Sequence, residues 1–256
     1  MKHKWFATLV TIMCVMLGNV NSVCASGFDV ITDGTEYSQI VYGNQEFGYS
    51  NGGALEAREQ DIIASLFQES KKPLFEMTPI SPTRDGWYQI PNLSNFVYYG
   101  QLQYYTCGPA CVKMGIKYLS GNAIAESVVA SGCNTTTNGT YLYDMKNYIN
   151  SMQSSNIYTA QYGATKSTMK TCLYNGIVFY VAPPVVGLHE STLTGWPYDL
   201  NAHFVVVYSI KDDQSSVKIA DPWGGYVSSS SSGKLYTVST DMMYTAYSTV
   251  NLGLMY

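Results

Sequence analysis

Apolar positions along this chain change their spacing twice. The first stretch, Trp5 to Leu17, is an apolar run preceded by Lys2 and Lys4 and followed by NSVCAS. A basic start, a short apolar core and the small-residue pattern of Val23 and Ala25 predict a secretory signal peptide over 1–25, cut after Ala25. The run is short for a membrane span. Lipidation at Cys24 is the weaker reading, because Val23 is a poor residue before a lipidated cysteine.

From Leu55 the apolar residues take a helical period. Leu55, Ile62, Ile63, Leu66 and Phe67 fall on one helical face, with Lys71 and Lys72 at the negative end of the helix dipole and Pro73 as the stop. Cys111, Met114, Gly115, Tyr118 and Leu119 share a face, which predicts a helix over 107–119 ended near Gly121. A second helix is expected over 140–152, and a third is capped by Ser167 and closed by Gly176. The period then shortens. Residues 177–182, 203–210, 216–223 and 234–240 read as strands, separated by KDDQS and glycine-rich turns. Helices first and an antiparallel sheet second predict an α+β fold. The Pro-punctuated stretch 74–95 separates an N-terminal extension, 26–92, from a main domain, 93–256. The extension reads as a small subdomain, a propeptide over the cleft, or a binding arm. No repeat is visible, and SSSSSG at 228–233 is a flexible hairpin loop. No later run is apolar enough to cross a bilayer, so the mature product is expected to be soluble and exported.

Composition narrows the partners. The net charge of −4 supplies no basic patch for a nucleic acid. Charged residues are only 12% of the chain while Tyr numbers 23, so the surface relies on hydroxyls and amides. Removing the signal peptide leaves four cysteines, Cys107, Cys111, Cys133 and Cys172. Cys111 reads as a packed thiol, and Cys133 and Cys172 could pair in an exported protein. Their spacing from histidine suits no metal site.

Cys107 opens the predicted helix in QLQYYTCGPAC. Unpaired N–H groups at a helix N-terminus favour a thiolate, and Pro109 is tolerated in the first turn. A nucleophilic thiol also needs an imidazole held by a third group. Outside the signal peptide only His189 and His203 are available. His203 opens a strand and Asp221 ends the next one. A hairpin through KDDQSS brings both to one end of the sheet, whereas His189 lies in a loop-like stretch beside Glu190.

The series Q-x5-C-G-P-A, H-F-V-V-V and A-D-P, over about 97–225, resembles the papain-fold cysteine peptidases. Within them it is most similar to the bacterial bacteriocin-processing, double-glycine-type branch and its secreted relatives. The resemblance implies a papain-like fold and hydrolysis of peptide bonds. It implies Cys107 as nucleophile, His203 as base and acid, Asp221 as the group that orients His203, and Gln101 as oxyanion donor, with Gln103 as a rival. No cofactor or metal is implied, and the expected partner is a peptide or protein substrate. Thr106 stands where transporter-linked members often carry Asp, and 26–92 has no counterpart in the minimal domain. Gly52-Gly53-Ala54 matches the double glycine that namesake members cut after, but here the amphipathic helix follows the pair. Two other readings use the same residues: an exported binding module, and an acyltransferase.

Overall fold

The computed structural model describes residues 53–68, 79–190, 196–227 and 234–256, all within the compact unit Gly43–Tyr256. The segment 1–25, Gly52, the Lys71, Lys72 and Pro73 helix stop and the 228–233 loop lie outside the described residues.

The elements are β1 (Ala54–Leu55), α1 (Glu59–Gln68), β2 (Trp87–Gln89), α2 (Cys107–Ser120), α3 (Glu126–Gly132), β3 (Thr140–Tyr141), α4 (Leu142–Met152), β4 (Ala160–Gln161), α5 (Lys166–Val178), β5 (Val185–Leu188), β6 (His203–Lys211), β7 (Ser216–Ala220), α6 (Trp223–Val227), β8 (Leu235–Ser239), α7 (Thr240–Ser248) and β9 (Leu254–Met255). Seven strands form an antiparallel sheet in the order β4-β9-β5-β6-β7-β8, with β2 also paired to β6. β1 and β3 form a separate two-stranded parallel pair. Helices and an antiparallel sheet therefore pack as an α+β fold.

The strand β6 holds the layers together. Phe204 and Val206 join Cys111, Met114 and Ile116 of α2 in one buried cluster. Val205 and Val207 join Met169, Leu173 and Ile177 of α5 and Met243 of α7 in another. Burial on both faces explains why HFVVVYSI is a continuous apolar run rather than an alternating one. Each such side chain contributes about 1.5–3 kcal/mol on burial. The helix α2 stops where Gly121 turns left-handed, at φ 76°, a conformation that glycine adopts without a Cβ clash.

Three local expectations are corrected. The stretch 177–182 is not a strand: Ile177 and Val178 finish α5, and the strand is β5, eight residues on. Gly176 does not close α5, and its cap is Thr165, whose hydroxyl accepts from the Thr168 N–H at 3.2 Å, rather than Ser167. In the N-terminal segment Leu55 lies in β1, and Ile63, Leu66 and Phe67 of α1 are exposed while Asp61 and Ser65 are buried. Arg58 turns that polar side inward, with Nε 2.6 Å from Asp61 Oδ2 and an amino nitrogen 3.0 Å from Asp144 Oδ1 on α4. Buried charge pairing, which periodicity does not register, set the orientation.

Candidate active site

Cys107 is the first residue of α2, and Gly108 and Pro109 follow it in the first turn. Gly108 is there because the helix enters against β3 and α4. A Cβ on it would come within 2.8 Å of Met145 Sδ and 3.0 Å of Thr140 Cβ. Thr106 precedes the helix without capping it by its side chain. Its hydroxyl donates instead to Glu126 Oε1 at 2.6 Å, and the same oxygen accepts from the Leu102 N–H at 2.8 Å. The Gln103 N–H donates to Thr106 Oγ1 at 3.0 Å. Glu126, buried at the start of α3, thus pins the loop that delivers Cys107. Sequence reading passed over it because α3 has a weak apolar pattern. Replacing Glu126 with Ala is expected to leave two donors without their acceptor. The cost is about 1–3 kcal/mol, read as a fall in Tm by thermal unfolding.

His203 begins β6 and Asp221 follows β7, and the β6–β7 hairpin pairs Val206 with Ala220. The turn brings His203 Nε2 to 2.8 Å from Asp221 Oδ1, with both residues fully buried. Asp221 accepts two further bonds, from the Trp223 N–H at 2.9 Å to Oδ1 and from the Tyr236 hydroxyl at 2.5 Å to Oδ2. Opposite a carboxylate, Nε2 carries the proton and donates. Nδ1 is then the basic nitrogen, and it has no hydrogen-bond partner within the sheet. Burial pulls the proton affinity of His203 down. The charges of Asp221 and Glu190 and the side-chain interactions with Asp221 and Cys107 outweigh it and hold the ring well above the ordinary histidine range. The Trp223 ring lies edge-on to His203, with centroids 6.2 Å apart.

The other candidates sort by position. Gln101 is buried, its backbone N–H bonded to Pro222 O at 3.0 Å and its side-chain Nε2 donating to Gln103 O at 2.8 Å. Gln103 is exposed. His189 follows β5, and its ring pairs with Asn201 rather than with a carboxylate. Burial lowers its proton affinity and that hydrogen bond raises it, with burial prevailing. The four cysteines of the described residues are thiols and not disulfides. Cys133 and Cys172 belong to different buried clusters, so they do not form the pair considered from sequence. The Cys111 thiol donates to Phe204 O at 3.2 Å as a packing residue between α2 and β6.

Glu190 was named in the sequence only as a neighbour of His189, and the structure gives it a different place. It is fully buried, and it, His203 and Asp221 each bring a potential ligand atom to within 4.8 Å of the others. His203 Nε2 and Asp221 Oδ1 are already engaged with each other, which favours a proton-handling cluster over a cation cage. Because His189 and Glu190 read as loop-like, nothing in the sequence showed that Glu190 stood beside β6.

The three residues Cys107, His203 and Asp221 are each 0% exposed, which raises the question of what covers them. The strand β1 runs through this region. The Ala54 N–H donates to the carbonyl of Ala202, the residue before His203, at 3.3 Å. The Thr140 N–H donates to Gly53 O at 2.8 Å. Gly53, at φ +89°, passes so close to Tyr105 that a Cβ would overlap the Tyr105 backbone, and a Cβ on Gly139 would overlap Gly53 O.

A thiol at a helix start and a histidine at the start of a central strand of an antiparallel sheet, in one α+β body, define the class of papain-like cysteine peptidases. The model of the Peptidase_C39 like family matches residues 93–249, more than half of the chain, and the chain belongs to that family. No curated protein matches. Among solved structures, the peptidase domain of Streptococcus ComA, a bi-functional ABC transporter involved in a quorum sensing pathway, is 18% identical with a TM-score of 0.42, covering 63% of this chain and 96% of that one. A double glycine motif protease from an AMS/PCAT transporter, solved with its leader peptide, is 17% identical with a TM-score of 0.41, covering 69% of this chain and 95% of that one. The ragweed pollen cysteine protease Amb a 11, in its proform, is 8% identical with a TM-score of 0.48, covering 81% of this chain and 74% of that one. No helix among the described residues is long and apolar enough to cross a membrane.

Proposed function

We propose that this protein is a secreted cysteine peptidase that cuts peptide bonds through an acyl-enzyme on Cys107. The observation that carries this reading is the 2.8 Å His203–Asp221 hydrogen bond, which leaves Nδ1 as the basic nitrogen of a ring whose proton affinity Cys107 helps to raise. The His203 ring takes the thiol proton, and the Cys107 thiolate attacks the carbonyl carbon. The imidazolium then protonates the leaving amine, and water activated by the neutral ring releases the acid. Gln101 and the Cys107 N–H donate to the oxyanion, a donor of this type contributing about 2.7–4 kcal/mol. Asp221 holds the ring tautomer, and its three donors keep it from turning away. Export rests on the basic, apolar and small-residue order of 1–25.

The segment 26–92 is read as a propeptide in part. β1 sits between Ala202, Tyr105 and Thr140, next to residues of the triad that have no exposed surface. A peptide substrate reaches the thiol only when β1 lifts, so β1 in place holds activity down without abolishing it. β2, by contrast, is a strand of the central sheet and belongs to the folded body.

The test is a digest of an unstructured protein under reducing conditions, with new termini read by mass spectrometry and a primary amine added as competing acceptor. New carboxyl termini are expected. Amine adducts in their place indicate acyl transfer, and an untouched substrate with Cys107 no more reactive to alkylation than Cys111, Cys133 and Cys172 overturns the enzyme reading.

A further inference from the structure

The mechanism above uses His203 and Asp221 and leaves a second buried carboxyl group beside them unexplained. Glu190 lies two residues past Leu188, the cross-strand partner of His203 in the β5–β6 pair. The chain has left β5 there, and the Glu190 N–H donates to Leu200 O at 2.8 Å. A carboxyl oxygen of Glu190 lies within 4.8 Å of ligand atoms of both His203 and Asp221. Among the described residues neither of its oxygens has a hydrogen-bond partner of good geometry, and the Trp196 indole N–H is the donor that faces it. The groups around it are His203 from β6, Asp221 after β7, Tyr236 from β8, and Tyr198 and Trp196 from the loop between β5 and β6.

A buried acid with unsatisfied oxygens is costly to keep unless it acts on something nearby. Here the nearest chemistry is the ring whose protonation decides catalysis. We propose that Glu190 is a positioning residue of the catalytic centre, which fixes the proton affinity of His203 and so the alkaline limit of activity. The inference rests on the reading of Cys107 and His203 as the reactive pair.

The direction follows from charge. Burial and the negative charge of Asp221 push the Glu190 carboxyl well above its usual range, and the opposing influence of His203 is smaller. With Cys107 as thiolate, His203 as imidazolium and Asp221 ionised, a neutral Glu190 avoids a second uncompensated negative charge in the core. When pH rises, Glu190 gives up its proton beside the imidazolium. The new carboxylate favours the charged ring, and the imidazolium persists to higher pH than Asp221 alone would hold it. Glutamine cannot supply that charge. A unit charge 4.8 Å away, at an effective dielectric of about 20, corresponds to a shift of about 2.5 pH units.

The experiment follows the alkylation of Cys107 by chloroacetate across pH in the full-length protein, with the labelled residue read by mass spectrometry. Chloroacetate is an anion, so its reaction with the thiolate is assisted while the imidazolium is present and slows when the ring loses its proton. The Glu190→Gln variant is expected to lose that assistance about one pH unit or more below the wild type. Glu190→Asp, which restores the charge at slightly longer reach, is expected to fall between them. An alkaline limb that stays where the wild type has it, even if the whole curve is lower, overturns the inference and leaves Glu190 a structural residue. If Glu190→Gln does not fold by circular dichroism, Glu190→Asp decides alone: a limb moved down supports the inference and an unmoved one overturns it. A protein that shows the shift and cleaves no peptide retains the role of Glu190 and rejects the peptidase reading. One that cleaves peptides with an unmoved limb does the reverse.

Discussion

The variant Cys107→Ala is expected to lose peptide hydrolysis altogether while keeping its fold. Without the thiol no acyl-enzyme forms, and what remains is binding and the oxyanion donors. In enzymes built on a nucleophile, a base and an orienting acid, removal of the nucleophile lowers kcat by about 10⁴-fold or more. The fold should tolerate the change, because Cys107 opens a helix rather than filling its middle, and alanine is the best helix former. Two measurements check this. Cleavage of an unstructured protein should vanish, and thermal unfolding should remain a single transition within a few degrees of the wild type. Residual cleavage at the wild-type rate would assign the chemistry to another residue and reject the mechanism.

The second large effect is expected from a residue with no side chain. Gly53→Val places a branched side chain where Gly53 passes the Tyr105 backbone, at a φ of +89° that a β-branched residue does not adopt without strain. β1 cannot keep its place. Its displacement breaks at least two backbone hydrogen bonds, from Thr140 to Gly53 and from Ala54 to Ala202, besides the pairing of β1 with β3, each worth about 0.5–1.5 kcal/mol. With the exposure of Ala54, closing the site is therefore worth roughly 2–3 kcal/mol, equivalent to roughly a 30- to 150-fold difference in access, since about 1.4 kcal/mol is tenfold. Alkylation of Cys107 by iodoacetamide at neutral pH should accelerate by that factor in Gly53→Val, with peptide hydrolysis rising in parallel. The other three cysteines should not change, since they lie in cluster interiors. Burial pushes the Cys111 and Cys133 thiols well above their usual range, and neighbouring negative groups push them the same way. Equal rates in variant and wild type would show that β1 does not guard the cleft.

Both expectations depend on elements of different legibility. α2 was readable because its signals are local: an apolar face at helical spacing, proline in the first turn and glycine at the end. The β6–β7 hairpin was readable for the same reason, as two apolar strands flank a short polar turn. Those two elements place Cys107, His203 and Asp221 at defined ends of a helix and two strands. The strand β5 was misplaced because IVFYVA has the composition of a strand, yet its first two residues are the final turn of α5. That helix runs two residues past Gly176, which packs so closely on Pro184 that a Cβ would come within 2.6 Å. Composition carries no record of such a contact. The helices α3 and α7 and the strand β9 were also passed over, being short or weakly patterned.

What the sequence by itself determined is the chemistry on offer. Cysteine stands at a helix start, histidine and aspartate stand at two strand ends, and glutamine lies six residues before the cysteine. Short-range rules of capping, period and turn formation suffice for that. Only the tertiary structure decided what surrounds those groups. It brought Glu190 beside His203 through the β5–β6 pairing, pinned the Cys107 loop to Glu126 across two elements, and laid β1 between Ala202 and Thr140. These are contacts between residues far apart in the chain, made by burial and hydrogen-bond satisfaction in three dimensions. No periodicity along one strand or helix encodes them.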